Sequence, residues 1–544
     1  MSEPVPSGQR HLFVVGFMAT GKSTVGRLVA ERLSLPFVDL DERIEADAGR
    51  AIAAIFASDG EDGFRRLEAE SLARVIAGPP AVVATGGGAP CHRDNLARMR
   101  AAGLVVALTA PLATVRARVP DPATRPLLQQ PDEAVAALYQ RRVTYYRQAH
   151  ACVRTEDDPP EVVARAVADL FGAARSIPER ALADATLVAL SARAYPIIVA
   201  TKTLDQLGIL ARAALGDSCT RLGVITDDNV GPLYGERVRA ALGKAGFAVS
   251  SASVPAGEPS KCFEQLSRLT QDMVTSGLDR RSAIIALGGG VVGDLAGLVA
   301  ATLFRGIDYI QVPTTILAMV DSAIGGKTGI NIPAGKNLVG AFWQPRAVLA
   351  DPEVLITLPV RERRAAFGEL VKYGLLDSDD LYASIDALGP AIGSEAELPE
   401  QLSEVIRRCA AVKSWIVSRD EREQTGERAL LNLGHTVGHA IEASAGYGTL
   451  LHGEAVALGL VAAARLSARL GLCDAAVEAQ VVDTLRRAGL DADVDPWLRD
   501  DVLARIGVDK KRTGTKVSFI FIKRFGECFT RAISIAEIAR ILRV

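Results

Sequence analysis

No Cys-x-x-Cys pair occurs among the seven scattered cysteines of this 544-residue sequence. A disulfide scaffold and a thiolate zinc site are therefore not expected, and a reducing compartment fits. No apolar run reaches the ~18 residues needed to cross a bilayer. The opening MSEPVPSGQRHLFVVG carries an acid and two prolines and lacks the basic and apolar zones of a secretory signal. A cytoplasmic protein without membrane attachment is expected. Positive charge is not in excess either, since 62 Lys and Arg face 64 Asp and Glu for a formal net charge of −2. Nonspecific nucleic-acid binding, which needs clustered cations in excess, is not expected, and any anionic ligand must meet local positive sites. Fixed-period repeats and low-complexity tracts are missing as well.

What is present is the balance of a globular chain, 49% hydrophobic and 23% charged. Its length exceeds one core, since domains mostly run ~100–200 residues, so three or four compact units are expected. From Leu12 to about Phe171, apolar runs such as LFVVG and GLVVALTA alternate with helical patterns such as STVGRLVAERL. This predicts βαβ units around a parallel sheet in a P-loop domain over residues 1–171. Residues 172–185, GAARSIPERALADA, are small and polar and form the expected linker. A second α/β series runs through YPIIVA, RLGVITDDN and SAIIALGGG over residues 186–359, and residues 360–544 read as an all-helical part. The expected fold class is thus α/β: a P-loop domain, an α/β dinucleotide-binding subdomain and an all-helical metal-binding subdomain.

Residues Gly16 to Ser23 read GFMATGKS, a complete G-x-x-x-x-G-K-[ST] loop between a predicted strand and a predicted helix. Its amides can curl around phosphate oxygens, Lys22 can reach the β and γ phosphates, and Ser23 can ligate Mg²⁺. In FVDLDERIE, Asp39 and Asp41 are expected at a strand end, both on one side by the period of two. One carboxylate suits the metal's water shell and the other an acceptor hydroxyl; a strand end with a helix cap is the plainer alternative. Arg65 and Arg142 are candidates for an acceptor carboxylate.

In the second half, ALGGGVVGD holds G-x-G-x-x-G as Gly288, Gly290 and Gly293, with no acidic residue at a strand end ~20 residues on, as an ordinary dinucleotide fingerprint would have. Three of the six His, His435, His439 and His452, fall within eighteen residues. Two of them could join a carboxylate in a three-ligand catalytic metal site, and spacing alone does not say which His is not a ligand. Lys327 and Lys336, in Gly-rich segments, could with Arg305 and Lys372 form an anion pocket.

GFMATGKSTVGRLVA, DLDERI, EDGFRRLE, ATGGGAP and RPLL, in this order, resemble the shikimate kinase family across residues 10 to 172. The resemblance implies phosphorylation of shikimate by ATP with Mg²⁺. It assigns Asp41 as base with Lys22 as the second catalytic group, and Ser23 and Asp39 to Mg²⁺. Ala19, Thr20, Gly21, Lys22, Ser23, Thr24, Arg118 and Arg125 fall to ATP, and Arg65, Gly87 and Arg142 to shikimate. The family pattern R-x-P-x-Y stands here as RVTYY without its proline, so Arg141 and Arg142 both remain as the matching position.

PAGEPSK, ALGGGVVGDLAG, QVPTTILAMVDSAIGGKTGIN, GKNLVGAFWQP, FGELVKYG, RALLNLGHTVGHAIE and LHGEAVALG resemble 3-dehydroquinate synthase over nearly all of residues 185 to 544. The resemblance implies NAD- and Zn²⁺- or Co²⁺-dependent cyclisation of 3-deoxy-D-arabino-heptulosonate 7-phosphate with loss of phosphate, NAD acting as a catalyst. It assigns Glu369, His435 and His452 to the metal and Lys327, Lys372, His439 and Arg428 to catalysis. Asp227, Asn229, Glu258, Lys261, Gly290, Val291, Val292, Gly293, Asp294, Thr314, Thr315, Lys327 and Lys336 would hold NAD. Arg305, Asp321, Asn337, Lys413 and Asn432 would contact substrate, with Lys510 or Lys511 closing the phosphate end. A homodimer through the synthase half is implied, and the two reactions are not consecutive.

Overall fold

Continuous apolar runs ending in glycine or a short polar residue set the N-terminal architecture. In the computed structural model, which describes residues 10–119, 130–395, 397–446, 449–506, 512–513 and 516–543, the chain divides into two compact units, Met1–Ile198 and Val199–Val544. The first holds a five-stranded parallel sheet in the order Phe37–Asp39, Val82–Ala84, His11–Gly16, Gly103–Thr109, Ala151–Arg154. His11–Gly16 and Gly103–Thr109 are buried throughout, as strands covered on both faces must be. The first strand in sequence is central, so the winding reverses there and a crevice opens at the carboxyl ends of the strands. Helix Lys22–Leu33 starts at that point.

Residues 172–185, expected as a linker, carry the end of helix Pro160–Ala174 and the short helix Glu179–Leu182. An antiparallel pair, Ala185–Val188 with Tyr195–Val199, follows, and the division between units falls there. Three side chains pin this stretch to the first unit. Arg10 donates to the carbonyls of Ala174 (3.1 Å) and Ile177 (2.6 Å). Arg100 donates to those of Ala183 (2.7 Å) and Ala185 (2.8 Å). His150 accepts from the Val105 amide through Nδ1 (2.9 Å), so its Nε2, 2.9 Å from the Leu182 carbonyl, carries the proton. Because Arg100 and His150 are buried, removing their acceptors costs about 1–3 kcal/mol apiece. A fragment of residues 1–178 is therefore expected to be about 3 kcal/mol or more less stable in urea unfolding than residues 1–198. Equal midpoints would show that these contacts do not hold the unit together.

The second unit begins with parallel strands in the order Ala347–Ala350, Asp308–Pro313, Ala283–Gly288, Arg221–Asp227, Ala248–Val254. Helix Gly290–Thr302 leaves the end of Ala283–Gly288 and is buried along most of its length. The hairpin Lys327–Ile332 with Gly335–Phe342 then carries Lys327 and Lys336 on strands, where Gly-rich loops were expected. From Val360 to Ile506 the described residues are mainly helical, and helices Val360–Asp377 and His452–Arg469 are enclosed, the first buried from Ala365 to Asp377 and the second from Ala455 to Ala464. The expected all-helical part needs one correction. An antiparallel sheet, Arg512–Thr513, Lys516–Arg524 and Glu527–Ser534, precedes the last helix, Ile535–Leu542. Its cause is the β-branched and aromatic run VSFIFI, which packs inward at Val517, Phe519 and Ile520–Ile522.

Candidate active sites

The phosphate loop follows the central strand. Lys22 Nζ donates to the Phe17 carbonyl (2.9 Å) and Thr20 Oγ1 to the same oxygen (2.8 Å). Ala19 and Gly21 take left-handed φ of 58° and 88°, so Thr20, Gly21, Lys22, Ser23 and Thr24 follow a tight turn into the helix. Ser23 Oγ donates to Asp39 Oδ2 at 2.6 Å, which brings the two expected Mg²⁺ groups together. Asp41 departs from the expectation of a shared strand face. The strand ends at Asp39, which caps the next helix by accepting from the Asp41 amide (3.1 Å), so Asp41 stands in the first helical turn. Arg118 donates to the Thr155 side chain (2.9 Å) and carbonyl beyond the strand Ala151–Arg154. Arg125 lies outside the described residues.

Gly86, Gly87 and Gly88 bring three of the expected acceptor-binding groups to one turn. A Cβ at Gly86 would stand 2.8 Å from Asp41 Oδ1, one at Gly87 3.3 Å from Arg142 Nη1, and one at Gly88 would collide with the Arg65 guanidinium. Beside them lies a cavity of about 320 Å³ lined by Arg65, Gly88, Cys91, Arg141 and Arg142. Arg141 is exposed, whereas Arg142 is half-buried and lies 5.7 Å from the Phe17 ring centre. Glu68, which the sequence reading passed over, is fully buried and accepts from Arg65 Nη1 at 2.7 Å. Burial pushes its carboxyl up, and Arg65 works against that shift. Its i,i+3 spacing from Arg65 was visible in GFRRLE, but its burial was not.

The histidines of the second unit converge. His435 opens helix His435–Ala445, His439 stands one turn on, and His452 opens helix His452–Arg469, with one ring nitrogen of each within 4.8 Å of the others. Nε2 of His435 and Nε2 of His452 lie 3.3 and 3.4 Å from one oxygen, Glu369 Oε1. Glu369 has no exposed surface, and neither of its carboxylate oxygens has a partner in hydrogen-bonding geometry among the described residues. His439 stands edge-on to His435, ring centres 5.2 Å apart. Burial lowers His435 toward its neutral form. Burial also opposes charge on His452, yet Glu369 and Glu442 push it up to about 9. Glu369 itself is held well below the usual carboxylate range, since Lys372 and His435 outweigh its burial. A buried carboxylate that presents one oxygen to two imidazoles, its other oxygen ion-paired with Lys372, is a donor set that fits Zn²⁺ or Co²⁺.

Next to it, cations and acids form one network. Lys372, fully buried, lies 2.5 Å from Glu369 Oε2 and 3.1 Å from Asp321 Oδ2. Lys413 donates to the carbonyl of Asp321 (2.7 Å) and to its carboxylate. Arg428 donates to the carbonyls of Gly325 (3.2 Å) and Glu421, and Asn432 to that of Ala429 (3.2 Å). Glu423, absent from the sequence reading, binds Lys327 at 2.5 Å and lies 3.9 Å from Arg428 Nε. Its loop is built on Asp420, whose carboxylate accepts from the amides of Gln424, Thr425 and Arg428. Arg305 is exposed at a left-handed turn (φ 69°) and is not among the residues this network joins. Lys510 and Lys511 lie outside the described residues.

The dinucleotide candidates gather at the carboxyl ends of adjacent strands. Gly290, Val291, Val292, Gly293 and Asp294 form the first turns of helix Gly290–Thr302, and a Cβ at Gly290 would lie 2.9 Å from Ser322 Oγ. Ser322 Oγ and Thr314 Oγ1 are buried without a hydrogen-bond partner among the described residues, and Thr315 faces Gly289. Lys261 Nζ reaches Asp294 Oδ2 (2.7 Å) and Asn337 Oδ1 (2.5 Å), and Glu258 accepts from Asn331 (2.7 Å). Asp227, at the end of the strand beside Ala283–Gly288, accepts from the amides of Asn229 and Val230. An acid thus stands at the neighbouring strand end.

Comparison with known proteins gives one family for each unit. The shikimate kinase profile matches residues 18–171, and those for the 3-dehydroquinate synthase N-terminal and C-terminal parts match 251–365 and 366–512. The 3-dehydroquinate synthase of Caulobacter vibrioides is 46% identical over 351 residues, covering 63% of this chain and 93% of that protein. A 2-deoxy-scyllo-inosose synthase crystallised with carbaglucose-6-phosphate, NAD⁺ and Co²⁺ is 28% identical with a TM-score of 0.58, covering 66% of this chain and 99% of its own. A shikimate kinase from Aquifex aeolicus is 33% identical over 31% of this chain and 98% of its own, with a TM-score of 0.29.

Proposed function

We infer the function from the premise that the chain belongs to two families, shikimate kinase in its N-terminal part and 3-dehydroquinate synthase in the rest. One polypeptide carries two shikimate-pathway activities. The first is ATP-dependent 3-phosphorylation of shikimate, and the second is cyclisation of 3-deoxy-D-arabino-heptulosonate 7-phosphate to 3-dehydroquinate. The greater identity to a 3-dehydroquinate synthase, 46% against 28% for the inosose synthase, favours this cyclase chemistry over that of other sugar phosphates. A paired assay on one preparation, following ADP formation with shikimate and phosphate release from the heptulosonate, tests it directly.

For the kinase, the supporting observation is the glycine turn that abuts Asp41, Arg65 and Arg142. Lys22 and the loop amides neutralise the transferring phosphoryl group, while Ser23 and Asp39 serve Mg²⁺. Arg65, steadied by Glu68, and Arg142, favoured over the exposed Arg141, grip the acceptor carboxylate, and Asp41 takes the proton of the attacking hydroxyl. Asp41→Asn keeps the shape but cannot accept that proton. Shikimate turnover is expected to fall ~10²-fold or more with ATP affinity little changed; near-normal turnover would exclude Asp41 as the base.

For the synthase, the supporting observation is the convergence of two imidazoles on Oε1 of the buried Glu369 carboxylate. Glu369, His435 and His452 would hold the metal, which supplies a Lewis acid, and the bound dinucleotide supplies a reversible two-electron oxidation. Bare Thr314 and Ser322 hydroxyls and the missing Cβ of Gly290 fit a pyrophosphate against that helix start. Lys327, Lys413 and Arg428 neutralise the anionic groups of the substrate, and Asp321 and Glu423 hold them in place. Lys372 sits between Glu369 and Asp321 and orients the substrate hydroxyl, while His439 takes and returns a proton beside the metal.

Small-molecule substrates account for both sites. No helix among the described residues is long and apolar enough to cross a membrane, and a cytoplasmic location accords with seven cysteines that form no disulfide among the described residues. Exposed Leu338 and Phe342 on the hairpin strand support a homodimer through the synthase part.

A further inference from the structure

We propose that Glu442 is a positioning residue for the metal centre, fixing the tautomer of His452 and tying the metal-bearing helices to the hairpin that carries Lys336. The inference rests on the metal reading given under the proposed function.

Glu442 lies seven residues after His435 on helix His435–Ala445, two turns on and on the same face. Its Oε2 is 3.1 Å from His452 Nδ1 and its Oε1 2.6 Å from Lys336 Nζ, with the side chain only 12% exposed. An ionised carboxylate can only accept, so Nδ1 of His452 carries the proton. On the neutral ring Nε2, the atom facing Glu369, then keeps its lone pair for a metal. His435 is arranged in the same way by a different group, since its Nδ1 lies 3.1 Å from the Leu433 carbonyl. The two imidazoles therefore present Nε2 to one point, one backed by a neutral carbonyl and the other by a full negative charge. The charged partner makes His452 the more basic donor.

Lys336 gives the arrangement its second function. Its ammonium compensates the carboxylate, so Glu442 is not an isolated buried charge. The next residue, Asn337, accepts from Lys261, which also holds Asp294 at the start of helix Gly290–Thr302. A continuous run of polar contacts thus leads from His452 through Glu442 and Lys336 to the hairpin beside the dinucleotide cleft.

The test is Zn²⁺ affinity of the full chain, read by competition with a chromophoric chelator. Glu442→Ala is expected to weaken Zn²⁺ binding by about 10–100-fold. In Glu442→Gln the amide oxygen still accepts from Nδ1–H but the negative charge is gone, so only about half of that loss, on a logarithmic scale, should be recovered. A role in folding alone would shift the unfolding midpoint of the metal-free protein without this graded loss. Zn²⁺ binding by Glu442→Ala within threefold of the parent, or a Gln variant no tighter than the Ala variant, overturns the proposal. If the Ala variant does not fold, Gln binding equal to the parent does so. A parent chain that takes up no Zn²⁺ overturns the metal reading itself, and the inference with it.

Discussion

Stripping the metal from the full chain is expected to abolish phosphate release from the heptulosonate phosphate while ADP formation with shikimate and Mg²⁺ stays within about twofold. The asymmetry follows from the donors. The synthase unit offers two imidazoles and a buried carboxylate at Glu369, a set that favours Zn²⁺ or Co²⁺. The kinase unit offers Ser23 and Asp39, hard oxygens that suit a hydrated Mg²⁺. Loss of the Lewis acid removes several kcal/mol of charge stabilisation, about 10³-fold or more in rate. Zn²⁺ or Co²⁺ should restore turnover and Mg²⁺ should not. Glu369→Ala should match the stripped protein and resist rescue, because two imidazoles remain without the carboxylate on which both converge. Full synthase turnover in protein verified to be metal-free would sink the assignment of these three residues.

The residues legible in the sequence were those whose chemistry is rare or whose spacing is rigid. A complete phosphate loop, three His within a short span and runs of glycine stand out from any background, and the structure gathers them at strand ends and helix starts. Three carboxylates were not legible. Glu68, Glu423 and Glu442 look in sequence like the many glutamates of solvated helix faces, and only tertiary packing singles them out, by burying Glu68 and setting the others against Lys327, Lys336 and His452. Asp41 shows a different failure. A period of two was carried past the true strand end at Asp39, where the capping carboxylate had already turned the chain into a helix. The sheet of Lys516–Arg524 with Glu527–Ser534 is not legible because strong helical patterns precede it and the apolar run FIFI, buried at four successive positions, shows no alternation. In each case a one-dimensional period failed where neighbours distant in sequence decide the environment.

Lys22→Ala is expected to abolish shikimate phosphorylation, by at least about 10³-fold, and to leave the synthase within about twofold. Lys22 is the cation that the phosphate loop directs at the transferring group, and its present contact with the Phe17 carbonyl shows the side chain folded over the loop. Without it the loop meets the developing charge with backbone amides alone, and no other lysine stands in the GFMATGKST segment to substitute. His452→Ala should have the opposite effect, because it removes one of three metal donors and touches nothing in the kinase set. The independence rests on ligand sets that share no residue, since every group proposed for shikimate and ATP lies within residues 10–198 and every group for the heptulosonate, NAD and metal within 199–544. Such sites without common partners are expected to respond separately. Both variants should keep the parent's circular dichroism, and each should fail one assay only. If Lys22→Ala silenced the synthase as well in a folded protein, the two activities would have to share a group or a conformational step, and the assignment of a self-sufficient site to each unit would fall.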